Sequence, residues 1–184
     1  MASQDVQLPP NVRLAQGARV TGLSNFKRFL SQQEGALSVG ERSVADGVTF
    51  AVGAQGRIAI GRDCYFNECI LLAEQEIRIG NYVMIGWNTT ISDSDFHPLD
   101  PAERIKDAIA LSPLGDHRER PHVTCRPVVI GDDVYIGPAC TILKGITIGA
   151  GAFVEPGSVV TRDVPDHARV RGNPAAIVAP DEDE

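Results

Sequence analysis

Three of the four histidines lie in one segment, residues 92–129, where His97 is followed directly by Pro98. An imidazole titrates near neutral pH, so it can take a proton from a weak nucleophile such as a hydroxyl group. Asp93 and Asp95 precede His97 closely, and either carboxylate could orient the ring or shape the turn before it. This segment is therefore where we look for chemistry, and His97 is a candidate for proton transfer.

The other two histidines of this segment, His117 and His122, are five positions apart. Metal ligation is one interpretation of that spacing. A solvated loop is the other, because Arg118, Glu119 and Arg120 flank His117. The four cysteines form no C-x-x-C pair, which predicts reduced, unpaired thiols and no metal.

A six-residue period runs through the chain and is most regular after the histidine segment. Neither an α-helix, with a period of 3.6, nor a flat strand, with a period of 2, sustains such a spacing. It fits short strands joined by sharp bends, three to each turn of a parallel coil. The sequence therefore predicts an all-β fold, a parallel β-helix of about six coils. The aliphatic residues that set the period there are Ile130, Ile136, Ile142, Ile148, Val154 and Val160.

The period is interrupted, and the longest interruption runs from Ile91 to Ile130. Insertions in repeat folds leave from corners and often carry function. We expect one β-helix domain over residues 1–178, a loop excursion at 92–129, and an acidic tail at 179–184.

Charge and hydropathy exclude some classes of function. The net charge of −7 argues against a nucleic-acid partner, because phosphate backbones attract basic surfaces. No apolar stretch approaches the length of a membrane span, and the first residues do not resemble a secretory signal. A cytoplasmic location is the expectation.

The chain resembles the hexapeptide-repeat acetyltransferases, specifically the maltose, galactoside and polysaccharide O-acetyltransferase branch. Besides the six-residue period, the resemblance rests on His97-Pro98, on the run from Val160 to Pro165, and on the ending Gly172-Asn173-Pro174-Ala175. It covers roughly residues 39–178. It implies a left-handed β-helix, a homotrimer with active sites between neighbouring subunits, acetyl-CoA as co-substrate, and His97 as the base.

The resemblance also implies contacts for the coenzyme. Thr161 and Arg162 stand where the family has a coenzyme-binding Thr-Lys-Asp, and Tyr135 stands where the galactoside enzymes have tryptophan. The family's basic residues after the Gly-x-Pro are absent, since Ala175 and Ala176 follow Pro174. Two arginines before that motif, Arg169 and Arg171, are candidates to replace them, and Arg171 is assigned to the coenzyme site.

For the acceptor, the resemblance implies Asn67 and Glu74, and Asp95 is assigned to the same site. The predicted function is transfer of an acetyl group from acetyl-CoA to a hydroxyl of a sugar or polysaccharide precursor. Three alternatives stay open: an amino sugar or xenobiotic acceptor, a zinc lyase similar to the γ-class carbonic anhydrases, and a scaffold without activity.

Overall fold

The six-residue period forms short parallel strands that stack from one coil to the next. The computed structural model describes residues 7–116 and 119–178. The strands lie in three sheets, one on each side of the coil, and Val129 pairs with Thr147 one coil further on. Three parts of the predictions fall outside the described residues: the start of the domain at residues 1–6, the acidic tail at 179–184, and His117.

The first sheet has six strands. In stacking order they are β1 (Val12–Leu14), β4 (Leu37–Val39), β7 (Ile58–Ile60), β10 (Ile77–Ile79), β13 (Val128–Ile130) and β16 (Thr147–Ile148).

The second sheet has eight strands, of which the last two form an antiparallel hairpin. They are β2 (Arg19–Thr21), β5 (Val44–Asp46), β8 (Tyr65–Asn67), β11 (Met84–Ile85), β14 (Tyr135–Ile136), β17 (Phe153–Val154), β19 (Arg169–Gly172) and β20 (Ala175–Val178).

The third sheet has six strands, all parallel. They are β3 (Asn25–Phe29), β6 (Thr49–Val52), β9 (Ile70–Ala73), β12 (Thr90–Ser92), β15 (Thr141–Ile142) and β18 (Val159–Val160). The described residues thus make six complete three-stranded coils, and β19 begins a seventh layer. The coil matches a left-handed β-helix, as predicted.

The aliphatic residues of the period fill the interior. From Ile130 to Val160 every one of them is at most 2% exposed, and Cys64 and Cys140 are buried beside the same ladder. Burying one such side chain is worth about 1.5–3 kcal/mol. The core is therefore a narrow column of stacked aliphatic side chains.

The excursion leaves after β12 and returns at β13, close to the predicted bounds of 92–129. Within the excursion, residues Pro101–Ala110 form the helix α1, which the sequence analysis did not predict. Asp100 caps this helix by accepting a hydrogen bond from the backbone N–H of Glu103 at 2.9 Å, and Pro101 occupies the first turn. An acidic cap followed by proline and glutamate is a helix-start signal that the sequence carries. Within the described residues, no helix is long and apolar enough to cross a membrane.

Candidate functional site

The base of the excursion is fixed by Asp93. Its buried carboxylate accepts hydrogen bonds from the backbone N–H groups of Glu74, Gln75 and Glu76, each at 2.7 Å. Burial nevertheless raises the pKa of Asp93, because desolvation disfavours the charged form. Asp93 therefore holds the exit of the excursion, and it is not the partner of His97.

The returning segment packs against the departing one. Ser94 and Cys125 form an antiparallel bridge, and the Asp95 N–H donates to the Thr124 carbonyl at 3.1 Å. The Arg126 N–H donates to the Asp93 carbonyl at 2.8 Å. The departing and returning ends of the excursion, residues 93–95 and 124–126, are thus held together by backbone hydrogen bonds.

His97 is oriented by a carboxylate on α1. Its Nδ1 lies 2.6 Å from Oδ2 of Asp107, whose side chain is only 1% exposed, whereas the imidazole is 54% exposed. Hydrogen bonds from the Arg120 guanidinium, followed by smaller effects of His97, hold the pKa of Asp107 at about 2, although burial opposes this shift. Asp107 is therefore ionised at neutral pH and can only accept, so Nδ1 carries the proton. In the neutral form of the ring, Nε2 then has the lone pair that a general base requires.

Arg120 binds both the Asp107 carboxylate and the backbone next to His97. Its Nε donates to Oδ1 of Asp107 at 2.6 Å, and its Nη2 lies 3.2 Å from Oδ2 of Asp107 and donates to the Phe96 carbonyl at 3.1 Å. The side chain of Arg120 is only 14% exposed, so this arginine is part of the site and not of the solvated surface. Phe96 itself has φ +63°, a left-handed conformation that is uncommon for a residue with a side chain.

Two clefts flank residues 95–97. The basic cleft, of about 440 Å³, is lined by residues 94–96, Arg126, 143–146 and 161–163. It brings Asp95, which was assigned to the acceptor, together with Thr161 and Arg162, which were assigned to the coenzyme. The Lys144 ammonium donates to Oδ1 of Asp95 at 2.5 Å, and Oδ2 of Asp95 is buried without a partner among the described residues.

The second cleft, which we call the helix cleft, is open and mostly apolar, with a volume of about 630 Å³. It contains His97 and one face of α1. The lining residues are His97, Pro101, Arg104, Ile105, Ala108 and Leu111.

The remaining predicted site residues lie outside both clefts. The ring of Tyr135 stacks on that of Phe153, with centroids 4.6 Å apart, and Nη1 of Arg171 lies 3.6 Å from Oε2 of Glu155. The other two residues were assigned to the acceptor. Asn67 donates to the Tyr65 hydroxyl at 3.2 Å, and Glu74 pairs with Arg28 at 2.7 Å.

No group of three or more metal-ligating side chains comes together in the part of the chain that the structure describes. His122 is exposed on the returning segment. The side chains that could hold a phosphorylated co-substrate are those of the basic cleft, through their guanidinium, ammonium and hydroxyl groups.

Comparison with known proteins identifies the family. Residues 127–162 match the model of the bacterial transferase hexapeptide, described as six repeats. The chain is 42% identical to nodulation protein L of Rhizobium meliloti and 31% identical to the galactoside O-acetyltransferase of Lactococcus lactis. Each match covers 65% of this chain, and the matched parts are 58% and 51% of those proteins. The chain thus spans less than two thirds of the length of either relative.

A solved structure matches more fully. A hexapeptide-repeat containing acetyltransferase from Vibrio cholerae is 34% identical with a TM-score of 0.62, and the match covers 77% of this chain and 72% of that one. The same Vibrio protein has also been solved in complex with acetyl-coenzyme A, and that structure matches with a TM-score of 0.57 and 29% identity, over 89% of this chain and 70% of that one. Together with the β-helix and its excursion, these likenesses show that the chain belongs to the hexapeptide-repeat acetyltransferases.

Proposed function

We propose that this protein transfers the acetyl group of acetyl-CoA to a hydroxyl group of a sugar or polysaccharide precursor, with His97 as general base. The observation that carries the proposal is the pairing of His97 with a buried, ionised Asp107, which leaves Nε2 free to accept a proton. Membership of the acetyltransferase family supports the choice of donor.

The reaction needs no covalent enzyme intermediate. Nε2 of His97 removes the proton of the acceptor hydroxyl as its oxygen attacks the thioester carbonyl carbon. The tetrahedral intermediate then expels the coenzyme thiolate, which takes the proton back from Nε2 of His97. During the first step the ring becomes an imidazolium, which the Asp107 carboxylate stabilises.

The basic cleft supports the placement of the donor. Thr161 and Arg162 line it together with Asp95, which is two residues from His97 in the chain. In the proposal, Thr161 and Arg162 contact the coenzyme, and Tyr135 and Arg171 contact it from the second sheet. Neither of these two residues lines the basic cleft of its own chain, which supports a site that a neighbouring subunit completes.

For the acceptor, Asp95 is the strongest candidate, because its buried Oδ2 has no hydrogen-bond partner among the described residues. A sugar hydroxyl that donates to this oxygen would satisfy it. Asn67 and Glu74 remain in the proposal as further acceptor contacts.

A homotrimer is the proposed assembly. Outward side chains of the second sheet form an apolar column in register, from Tyr65 through Met84 and Tyr135 to Phe153. The excursion also exposes Ile105 and Ile109 of α1 to more than 60%. Contiguous exposed apolar surface is typical of an interface between subunits.

The proposal is tested by measuring thiol release from acetyl-CoA with a panel of sugars, nucleotide sugars, amino sugars and antibiotics. Acetyl transfer to a sugar hydroxyl, identified by mass spectrometry, is the expected result. Transfer to an amine alone would contradict the hydroxyl acceptor, and no transfer to any acceptor by a protein that does not bind coenzyme A would contradict the function.

A further inference from the structure

Phe96, the residue before His97, has an uncommon backbone conformation. Its φ is +63°, in the left-handed region. The His97 N–H donates to the Asp95 carbonyl at 2.7 Å, so residues 95–97 close a three-residue turn with Phe96 at its centre. Such a turn is rare and strained when its central residue has a positive φ, and more so for a bulky side chain. Glycine would adopt the same turn without this strain.

The surrounding structure holds Phe96 in this conformation. Its carbonyl accepts a hydrogen bond from Nη2 of Arg120 at 3.1 Å, and its N–H donates to Oγ of Ser94 at 3.4 Å. Ser94 and Pro98, two positions away on either side, are both buried. Backbone strain persists only where neighbouring structure imposes it, and it is concentrated at functional sites. The phenyl ring therefore offers the site something that glycine in the same turn would not.

Phe96 supplies exposed apolar surface to the basic cleft. Three large apolar residues line this cleft in the described part of the chain: Phe96, Leu143 and Ile146. Ile146 is 5% exposed and Leu143 is half-buried, whereas Phe96 is 38% exposed. Because the backbone N–H and carbonyl of Phe96 are both hydrogen-bonded, the surface that it exposes is mainly that of its ring.

The chemistry of the transfer determines which part of the donor lies near this ring. Nε2 of His97 must reach the hydroxyl group that attacks the thioester carbonyl, so the acyl group lies at the end of the donor nearest His97. Phe96 is covalently bonded to His97 and lines the cleft proposed for the donor. Its ring is therefore placed beside the acyl group, where a longer chain would extend from the carbonyl carbon.

We propose that Phe96 is a specificity-determining residue that restricts the donor to short acyl groups, so that acetyl-CoA is accepted and longer acyl-CoA thioesters are excluded. This inference rests on the proposed function. The ring cannot move aside freely, because hydrogen bonds from Arg120 and to Ser94 hold the backbone that carries it. Methylene groups added to the acyl chain would then overpack the space beside the ring.

The test is isothermal titration of the full chain with coenzyme A, acetyl-CoA, butyryl-CoA and hexanoyl-CoA. The parent is expected to bind butyryl-CoA and hexanoyl-CoA at least about tenfold more weakly than acetyl-CoA, because the longer chains overpack against the ring. Phe96→Ala and Phe96→Gly remove the ring and are expected to bind all three thioesters with affinities equal to within about threefold. Glycine also relieves the strained turn, so Phe96→Gly should unfold at a higher temperature than Phe96→Ala and decides the question if Phe96→Ala does not fold.

Tyr82→Ala is the matched control, because Tyr82 is also aromatic, has φ +60°, is 46% exposed and lines neither of the two clefts described above. It should keep the parental ratio of acetyl-CoA to butyryl-CoA affinity. The inference is wrong, and the proposed function stands, if the parent binds acetyl-CoA no more tightly than the longer thioesters. The same conclusion follows if folded Phe96→Gly keeps the parental ratio, or if Tyr82→Ala loses it as well. If the parent binds none of the four ligands and transfers no acetyl group, the proposed function itself is wrong.

Discussion

Nδ1 of His97 and Oδ2 of Asp107 lie 2.6 Å apart, although the two residues are ten positions apart in the chain. The helix α1 produces this contact by turning the excursion back on its own beginning. Arg120, from the returning segment, binds the same carboxylate and the Phe96 carbonyl. The arrangement fixes which nitrogen of His97 is protonated.

Removing the charge of Asp107 is predicted to lower the turnover number. In Asp107→Asn the side-chain amide can donate to Nδ1 and favour the wrong tautomer, so we expect kcat to fall roughly 10²–10⁴-fold. The KM for acetyl-CoA should change little, because Asp107 does not line the basic cleft. Steady-state kinetics measure both quantities.

Asp100→Asn is the matched control, because it makes the same chemical change in the same excursion and asparagine caps a helix about as well as aspartate. Equal kcat values for Asp107→Asn and Asp100→Asn would contradict a positioning role for Asp107.

The depressed pKa of Asp107 predicts a specific dependence of stability on pH. Its pKa is about 2 in the folded chain against 3.8 normally, so the folded state binds fewer protons than the unfolded state between these values. The stabilisation is fully present above about pH 4 and is lost as pH falls toward 2. Arg120→Gln, which removes the main cause of the shift, should reduce this acid-dependent loss.

Denaturant unfolding at several pH values between 2 and 6 measures the effect. Arg78→Gln is the control, because Arg78 pairs with Glu76 on an exposed surface. The account would be contradicted if Arg120→Gln and Arg78→Gln lost stability with acid to the same extent as the parent.

Two glycines with nearly the same backbone conformation allow the packing of Arg126 to be isolated. Gly145 has φ +75° and faces Arg126, whereas Gly157 has φ +73° with nothing within 4 Å of an added Cβ. Both Gly→Ala substitutions should cost about 1–2 kcal/mol for the left-handed conformation. Only Gly145→Ala should also displace Arg126, which lines the basic cleft proposed for the donor, and so weaken coenzyme A binding.

Thermal unfolding and titration with coenzyme A measure the two effects. Identical coenzyme affinities for Gly145→Ala and Gly157→Ala would show that this corner does not position Arg126 for the ligand.

The apolar column of the second sheet predicts the assembly. Light scattering should give the mass of three chains, and Phe153→Glu should reduce it by placing a charge in an apolar interface. Thr147→Glu, on the exposed side of the first sheet, should leave the mass unchanged. A parent protein with the mass of one chain would contradict the trimer.

The fold was predictable because the six-residue period that indicates it is repeated along the chain. Each aliphatic residue from Ile130 to Val160 occupies an equivalent inward position, so the period alone indicates the coil. The partner of His97 was not predictable in this way, because Asp107, and Arg120 that binds it, lie in the longest segment that interrupts the period. The sequence of Asp100, Pro101 and Glu103 did carry a helix-start signal, and a helix from there would have brought Asp107 into consideration.

The basic cleft, too, could be predicted from the sequence only in part. Thr161, Arg162 and Asp95 were each identified from the sequence. That they line one cleft depends on how the two ends of the excursion, residues 93–95 and 124–126, pair with each other. Arg126 and Lys144 carry no motif. Their place in the basic cleft became visible only in the structure, where Ser94 pairs with Cys125. The six-residue period does not predict that pairing.

The most direct test of the account is the acetyl-transfer rate of His97→Ala, measured together with its coenzyme A affinity and its thermal unfolding. The account predicts a folded protein that binds coenzyme A as the parent does, with kcat lowered by at least about 10² because the general base is gone. A folded His97→Ala protein that acetylates its acceptor at the parental rate would contradict it.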